Sequence, residues 1–139
     1  MRNRVGVVIH CECAGKILLI HRMKLGEEYW VVPGGGLEDD ESFEVAAKRE
    51  VWEELVLIID TMAELCTVAV DTSIQKYYIS RLHSTPHFTI HGEELLRSSA
   101  DNVYIPEWVA ICVIDEINLL PLALKNELIR YFRSPDGGG

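Results

Sequence analysis

The chain has little positive charge, few cysteines and no long apolar run. Thirteen Lys and Arg stand against 22 Asp and Glu, a formal net charge of −9 in 139 residues. Such a surface gains little from counterion release, so duplex nucleic acid is not an expected partner. The longest uninterrupted apolar stretch, residues 108–114, falls far short of the roughly 18 residues that span a bilayer. An export signal needs an apolar stretch of about 7 to 15 residues, and residues 5–9 behind Arg2 and Arg4 do not supply it. The expectation is a cytoplasmic protein with no membrane partner. Cys11, Cys13, Cys66 and Cys112 form no CxxC pair and no Cys/His cluster at zinc spacing. They read as reduced core residues, with Cys11 and Cys13 on one strand face and weak metal binding beside His10 as the lesser alternative.

What is present is an ordinary globular composition, 48% apolar and 25% charged, with no repeat, linker or low-complexity stretch. At this length the expectation is one domain over residues 1–139, with 134–139 a frayed tail. Residues 4–13 and 16–23 read as two strands joined by a turn at Ala14-Gly15. A short strand at 29–32 stops at Pro33, and Gly34, Gly35 and Gly36 read as a loop that uses backbone conformations other residues resist. Ser42 stands where an N-cap belongs, before a helix to about Leu55 with Phe43, Ala46, Ala47, Val51 and Leu55 on its apolar face. Residues 57–59, 63–71 and 74–83 look like strands, and 104–114 like a strand interrupted by Pro106. Residues 88–91 suggest a strand, 93–102 a surface loop or short helix, and 121–132 a C-terminal helix. Strands outnumber helices and mix with them, which predicts an α/β fold with a central sheet flanked by helices.

On the first helix Glu50, Glu53 and Glu54 stand at i, i+3 and i+4, which puts three carboxylates on one face. Like charges so spaced repel by a few tenths of a kcal/mol. A hard divalent ion such as Mg²⁺ or Mn²⁺, which takes oxygen ligands and keeps open positions for phosphate oxygens, reverses that sign. The plain reading of such a triplet is a solvated helix face.

The neighbouring residues weigh against that plain reading. From the glycines the chain runs Gly35, five residues, Glu41, seven residues, Arg49-Glu50-Val51, one residue, Glu53-Glu54, one residue, Val56, Leu57. This resembles the Nudix box, matching eight of its nine positions over residues 35–57. The one departure is Val56, which stands where the box has its second glycine. Asp40 also stands in a turn where relatives often have glycine.

The resemblance implies a Nudix-like α/β/α sandwich around a central mixed sheet. It further implies a metal-dependent hydrolase of the pyrophosphate bond in a nucleoside diphosphate linked to another group, with Mg²⁺ or Mn²⁺ as cofactor. Carried over by position, Glu50, Glu53 and Glu54 become metal ligands, with the Gly34 carbonyl as an added one, and Arg49 and Glu41 become their supports. A homodimer is a further family expectation. Glu93, Glu94 and Asp101 are candidates for a general base outside the box. Tyr29 and Trp30 beside the glycines, and Tyr104 and Trp108 farther along, are candidates to stack on a base, with core packing as the alternative. His10, His21, His83, His87 and His91 are scattered without a visible acid/base partner. Two other activities share the expected fold: a non-catalytic nucleotide-binding or regulatory module, which Val56 makes plausible, and an isomerase of diphosphate esters.

Overall fold

The structure, a computed structural model, describes residues 2–82 and 102–133. Seven strands form one mixed sheet: β1 (Arg4–Cys11), β2 (Lys16–Lys24), β3 (Glu27–Val31), β4 (Gly34–Gly36), β5 (Ala63–Val70), β6 (Ser73–Leu82) and β7 (Asn102–Ala110). Among the described residues two helices, α1 (Phe43–Leu55) and α2 (Leu122–Arg133), flank it. β1 runs parallel to β6 along its whole length, from Arg4↔Gln75 to Cys11↔Leu82, and β2 runs antiparallel to β7. Among the described residues no helix is long and apolar enough to cross a membrane.

The feature that positions the site is an opening in the sheet. β1 and β2 pair antiparallel only at Ile9↔Leu18, His10↔Ile17 and Cys11↔Lys16. Beyond those pairs β3 takes the edge of β2 and β4 takes the edge of β1, so that residues 27–36 fill the gap between two diverging strands. Val7 closes the join by donating its N–H to the Pro33 carbonyl at 2.9 Å.

Alternation along β1 and β2 separates two cores, as a strand period of two requires. Val5, Val7, Ile9 and Leu18 pack with Ala46, Ala47, Val51 and Leu55 of α1. Val8, Ile17 and Leu19 pack on the opposite face with Leu124 and Leu128 of α2. The expected three-layer α/β/α arrangement is therefore the one observed. Ser42 caps α1 as its position predicts, its Oγ accepting the Val45 N–H at 3.2 Å.

Several elements differ from the sequence expectation. Residues 57–59 are an irregular connection, not a strand; Ile59 is buried as a packing residue without ladder partners. β7 runs unbroken through Pro106, because among the described residues it pairs only with β2, and an edge strand has a side on which a missing N–H costs no ladder bond. It ends at Ala110, and Ile111–Glu116 form a 3-10 turn in place of the expected strand end. Cys11 is buried and Cys66 half-buried, but Cys13 and Cys112 are exposed: β1 stops at Cys11, leaving Cys13 in the turn, and Cys112 lies on the 3-10 turn. His10 lies on the α2 side, edge-on to Phe132 with centroids 5.0 Å apart. Its neighbour Cys11 points to the other face, so the three do not form a joint metal site.

Val56 ends α1 in the left-handed region, at φ 52° and ψ 40°, its N–H donating to the Trp52 carbonyl at 2.9 Å. The position thus keeps the conformation that glycine would adopt freely, while a β-branched side chain resists it by roughly 1–2 kcal/mol. Asp40 is also left-handed, at φ 63°, which its short polar side chain tolerates better. Val56→Gly is expected to stabilise the fold by about 1 kcal/mol, raising the Tm by roughly 3 °C. A circular-dichroism melt checks this, and an unchanged or lower Tm would show that the strain is relieved elsewhere.

Candidate active site

Gly34, Gly35 and Gly36 are a short strand and not a loop, and none of them has a positive φ; among the described glycines only Gly15 and Gly26 do. Their requirement is close approach. A Cβ on Gly34 would stand 2.0 Å from the Val5 carbonyl oxygen, and one on Gly35 would stand 2.5 Å from Glu50 Oε1. The bare strand lets the α1 carboxylates reach the backbone of the opening.

Arg49 organises those carboxylates. Its Nε and Nη2 donate to the two oxygens of Glu41 at 2.7 and 2.8 Å, a bidentate pair. Its Nη1 donates to Glu50 Oε1 at 2.9 Å and Glu53 Oε2 at 3.3 Å, and its Nη2 also reaches the Gly36 carbonyl at 3.1 Å. The hydrogen bonds from Arg49, then one from the Glu38 N–H, pull the Glu41 carboxyl down to about 2. The same Glu41 contact raises the Arg49 guanidinium above its usual range. Arg49 thus ties Glu41, Glu50 and Glu53 to one another and to the glycine strand.

Glu54 is buried, and its Oε1 accepts the Gly34 N–H at 3.4 Å. Glu50 and Glu54 line one cleft of about 790 Å³ together with Gly34 and Gly35. Glu53 stands at the outer edge of the same helix face, its side chain 53% exposed. Among the described residues no three Asp, Glu, His or Cys side chains already stand as a metal-holding group. The donor chemistry nevertheless suits a hard divalent ion: two carboxylates and a side-chain-free backbone face the cleft, with oxygen as the only ligand type.

Of the aromatic candidates, Tyr29 and Tyr104 line the cleft. Trp30 turns to the opposite face, stacks on His21 with ring centroids 4.4 Å apart, and donates its Nε1–H to Glu107 at 2.8 Å. Trp108 packs against the α1-side core. Glu93, Glu94 and Asp101, and likewise His83, His87 and His91, lie outside the described residues.

Sequence reasoning missed several residues here. Arg4, Arg22, Gln75 and Tyr77 line the cleft, as do Leu120, Pro121 and Leu122. Arg2 acts as a second clamp on the glycine strand, its Nε donating to the Leu37 carbonyl at 2.6 Å and its Nη2 to the Gly36 carbonyl at 3.2 Å. The pairing of β1 with β4 and β6 brings Arg2, Arg4, Gln75 and Tyr77 toward the glutamates, and no local pattern announces it.

The NUDIX domain family profile matches residues 1–125. The phosphatase NudJ of Escherichia coli K12 is 44% identical over 50 residues, 36% of this chain, and the match spans only 31% of that protein's length. MutT of Bacillus halodurans superposes with a TM-score of 0.70 at 18% identity, over 96% of this chain and 84% of that one. The NUDIX domain of NrtR from Shewanella oneidensis, solved with ADP ribose, gives a TM-score of 0.69 at 20% identity, over 95% and 88%.

The Glu41 carboxyl titrates near 2 in the folded chain against an ordinary 4.5. Its contribution to stability is therefore full above about pH 4.5 and fades as pH falls toward 2, where the folded state too becomes protonated. Glu41→Gln should flatten the fall in Tm between about pH 5 and 2.5 in circular-dichroism melts; an acid slope identical to wild type would remove Arg49–Glu41 from the acid response.

Proposed function

From the premise that this chain belongs to the Nudix family, we propose that it is a divalent-metal-dependent hydrolase of the pyrophosphate bond in a nucleoside diphosphate joined to another group. The observation that carries this reading is the pair Glu50 and Glu54, facing the side-chain-free backbone of Gly34 and Gly35 across one cleft. Nucleotide sugars, ADP-ribose-like compounds and nucleoside triphosphates are the substrate classes in view, and ADP ribose is the ligand of the NrtR domain described above.

Glu50, Glu53 and Glu54 would hold Mg²⁺ or Mn²⁺, with the Gly34 carbonyl as an added ligand. When bound, such an ion offsets pyrophosphate charge and lowers the pKa of a coordinated water. In the hydrolysis a water oxygen would bond to one phosphorus, the bridging oxygen would leave with the other phosphorus and the water's proton would pass to solvent, giving a nucleoside monophosphate and the phosphorylated remainder. Arg49 keeps Glu50 and Glu53 from swinging away under their mutual repulsion, a positioning role that its planar fork suits better than a lysine would. Tyr29 and Tyr104, both lining the cleft, would offer faces for a base.

A binding module without catalysis is the second reading, prompted by Val56. The left-handed backbone of Val56 favours the hydrolase, because the helix end that glycine would provide is kept, and so is every glutamate.

Release of phosphate or nucleoside monophosphate from a panel of nucleoside diphosphate derivatives and triphosphates, with Mg²⁺ or Mn²⁺ and with chelator, tests the reading. Turnover is expected only with metal, and Glu53→Gln and Glu54→Gln should each lower kcat on the order of a hundredfold or more with the fold intact. Mg²⁺ should also raise the Tm of the wild type by mass action. Ligand-dependent stabilisation with no turnover of any compound would favour the binding module.

A further inference from the structure

The cleft holds two arginines in different states. Arg22 is engaged: its Nε donates to the Val103 carbonyl at 3.1 Å, its Nη2 to Asn102 Oδ1 at 2.8 Å, and its guanidinium lies 5.1 Å from the centre of the Tyr104 ring. Arg4 lines the same cleft, yet among the described residues no hydrogen bond or ion pair holds its guanidinium. Arg4 is exposed, and among the described residues no carboxylate pairs with it, so its charge is available to an anionic ligand entering this cleft.

Its place in the sheet is defined on both sides. Arg4 is the register partner of Gly36 in β4 and of Gln75 in β6. The next residue, Val5, pairs with Gly35, against which the Glu50 carboxylate lies. The guanidinium is thus rooted one residue along the strand from the carboxylate end of the cleft. Gln75 lines the cleft as well, and its Oε1 accepts the Tyr77 hydroxyl at 2.8 Å. Burial pushes that hydroxyl up to about 12, so it remains a donor at neutral pH, and the Arg4 charge is near enough to act on it. With its oxygen so occupied, the Gln75 amide has two N–H donors left to offer. A guanidinium fork and an amide NH₂ on adjacent strands make a donor set suited to phosphate oxygens.

We propose that Arg4 and Gln75 form a subsite for a phosphate lying beyond the scissile pyrophosphate, so that the chain prefers nucleoside triphosphates to nucleoside diphosphates closed by a neutral sugar. This rests on the hydrolase reading above. A metal held by the glutamates offsets the charge of the pyrophosphate itself. A further phosphate needs its own cation, and Arg4 is placed to be that cation.

The test compares kcat/KM of wild type, Arg4→Met and Gln75→Glu on one nucleoside triphosphate and one nucleoside diphosphate sugar, with Mg²⁺. Met keeps the aliphatic stem of Arg4, and Glu keeps an acceptor for Tyr77 while replacing the donors with a carboxylate. For each variant kcat/KM on the triphosphate should fall roughly ten- to a hundredfold, while that on the sugar derivative stays within about twofold. Equal falls on both substrates, or none on the triphosphate, would overturn the subsite and leave the hydrolase standing. Arg4→Lys, the mildest change, should still reduce the triphosphate preference, and it serves in place of Arg4→Met if that variant misfolds. If no compound turns over, the hydrolase reading fails separately. Calorimetric titration with inorganic triphosphate and pyrophosphate, each with Mg²⁺, then decides the subsite: Arg4→Met must weaken the first and spare the second, and equal effects would overturn it.

Discussion

Four carboxylates and one carbonyl converge on the guanidinium of Arg49, and the arrangement around the opening depends on that convergence. Glu41 takes both forks, Glu50 and Glu53 share Nη1, Glu38 stands at 3.8 Å, and the Gly36 carbonyl accepts from Nη2. Without the cation, an acidic helix face would repel itself and lose its tie to the glycine strand. The same contacts set up a competition. A metal ion bound as proposed at Glu50 and Glu53 would share them with Arg49, so the guanidinium would both pre-assemble the face and moderate the attraction for the ion.

The cleft exists because the sheet opens. β1 and β2 hold together for three residue pairs and then separate, and the segment from Glu27 to Gly36 pairs with each of them in turn. This brings three kinds of group to one place: carboxylates from α1, backbone without side chains from β4, and arginines and tyrosines from β1, β2, β3, β6 and β7. Polar and aromatic groups of the cleft are coupled across these strands, Tyr77 donating to Gln75 within β6 and Arg22 of β2 lying against the Tyr104 ring of β7.

Much of this was legible in the sequence, and the limits follow from its physics. The helix with Ser42 as its cap, and the spacing of Arg49 with the three glutamates, are local patterns that a 3.6-residue period exposes directly. The glycines were visible too, but their reason was not: the requirement is approach to Val5, Glu50 and Arg2, which only the β1 and β4 pairing reveals. Tyr29 and Trp30 looked alike as neighbours, yet strand alternation sends Tyr29 into the cleft and Trp30 onto His21, and which face was which depended on tertiary pairing. Arg2, Arg4 and Gln75 carried no motif at all. Their roles come from contacts across more than 30 positions of sequence, which no window captures.

The parallel ladder of β1 with β6 has a kinetic side. It joins residues 4–11 to residues 75–82, so it cannot form before the chain has closed a loop of about seventy residues. Among the described residues β4 pairs only with β1, so its place in the sheet depends on a strand that the distant β6 also holds. The helix bearing the glutamates is specified by local sequence, whereas the backbone it faces is placed by contacts about thirty and about seventy positions apart. The cleft is therefore an all-or-none property of the folded domain: a nascent or partly unfolded chain can display the helix, but not the opening that makes it a site.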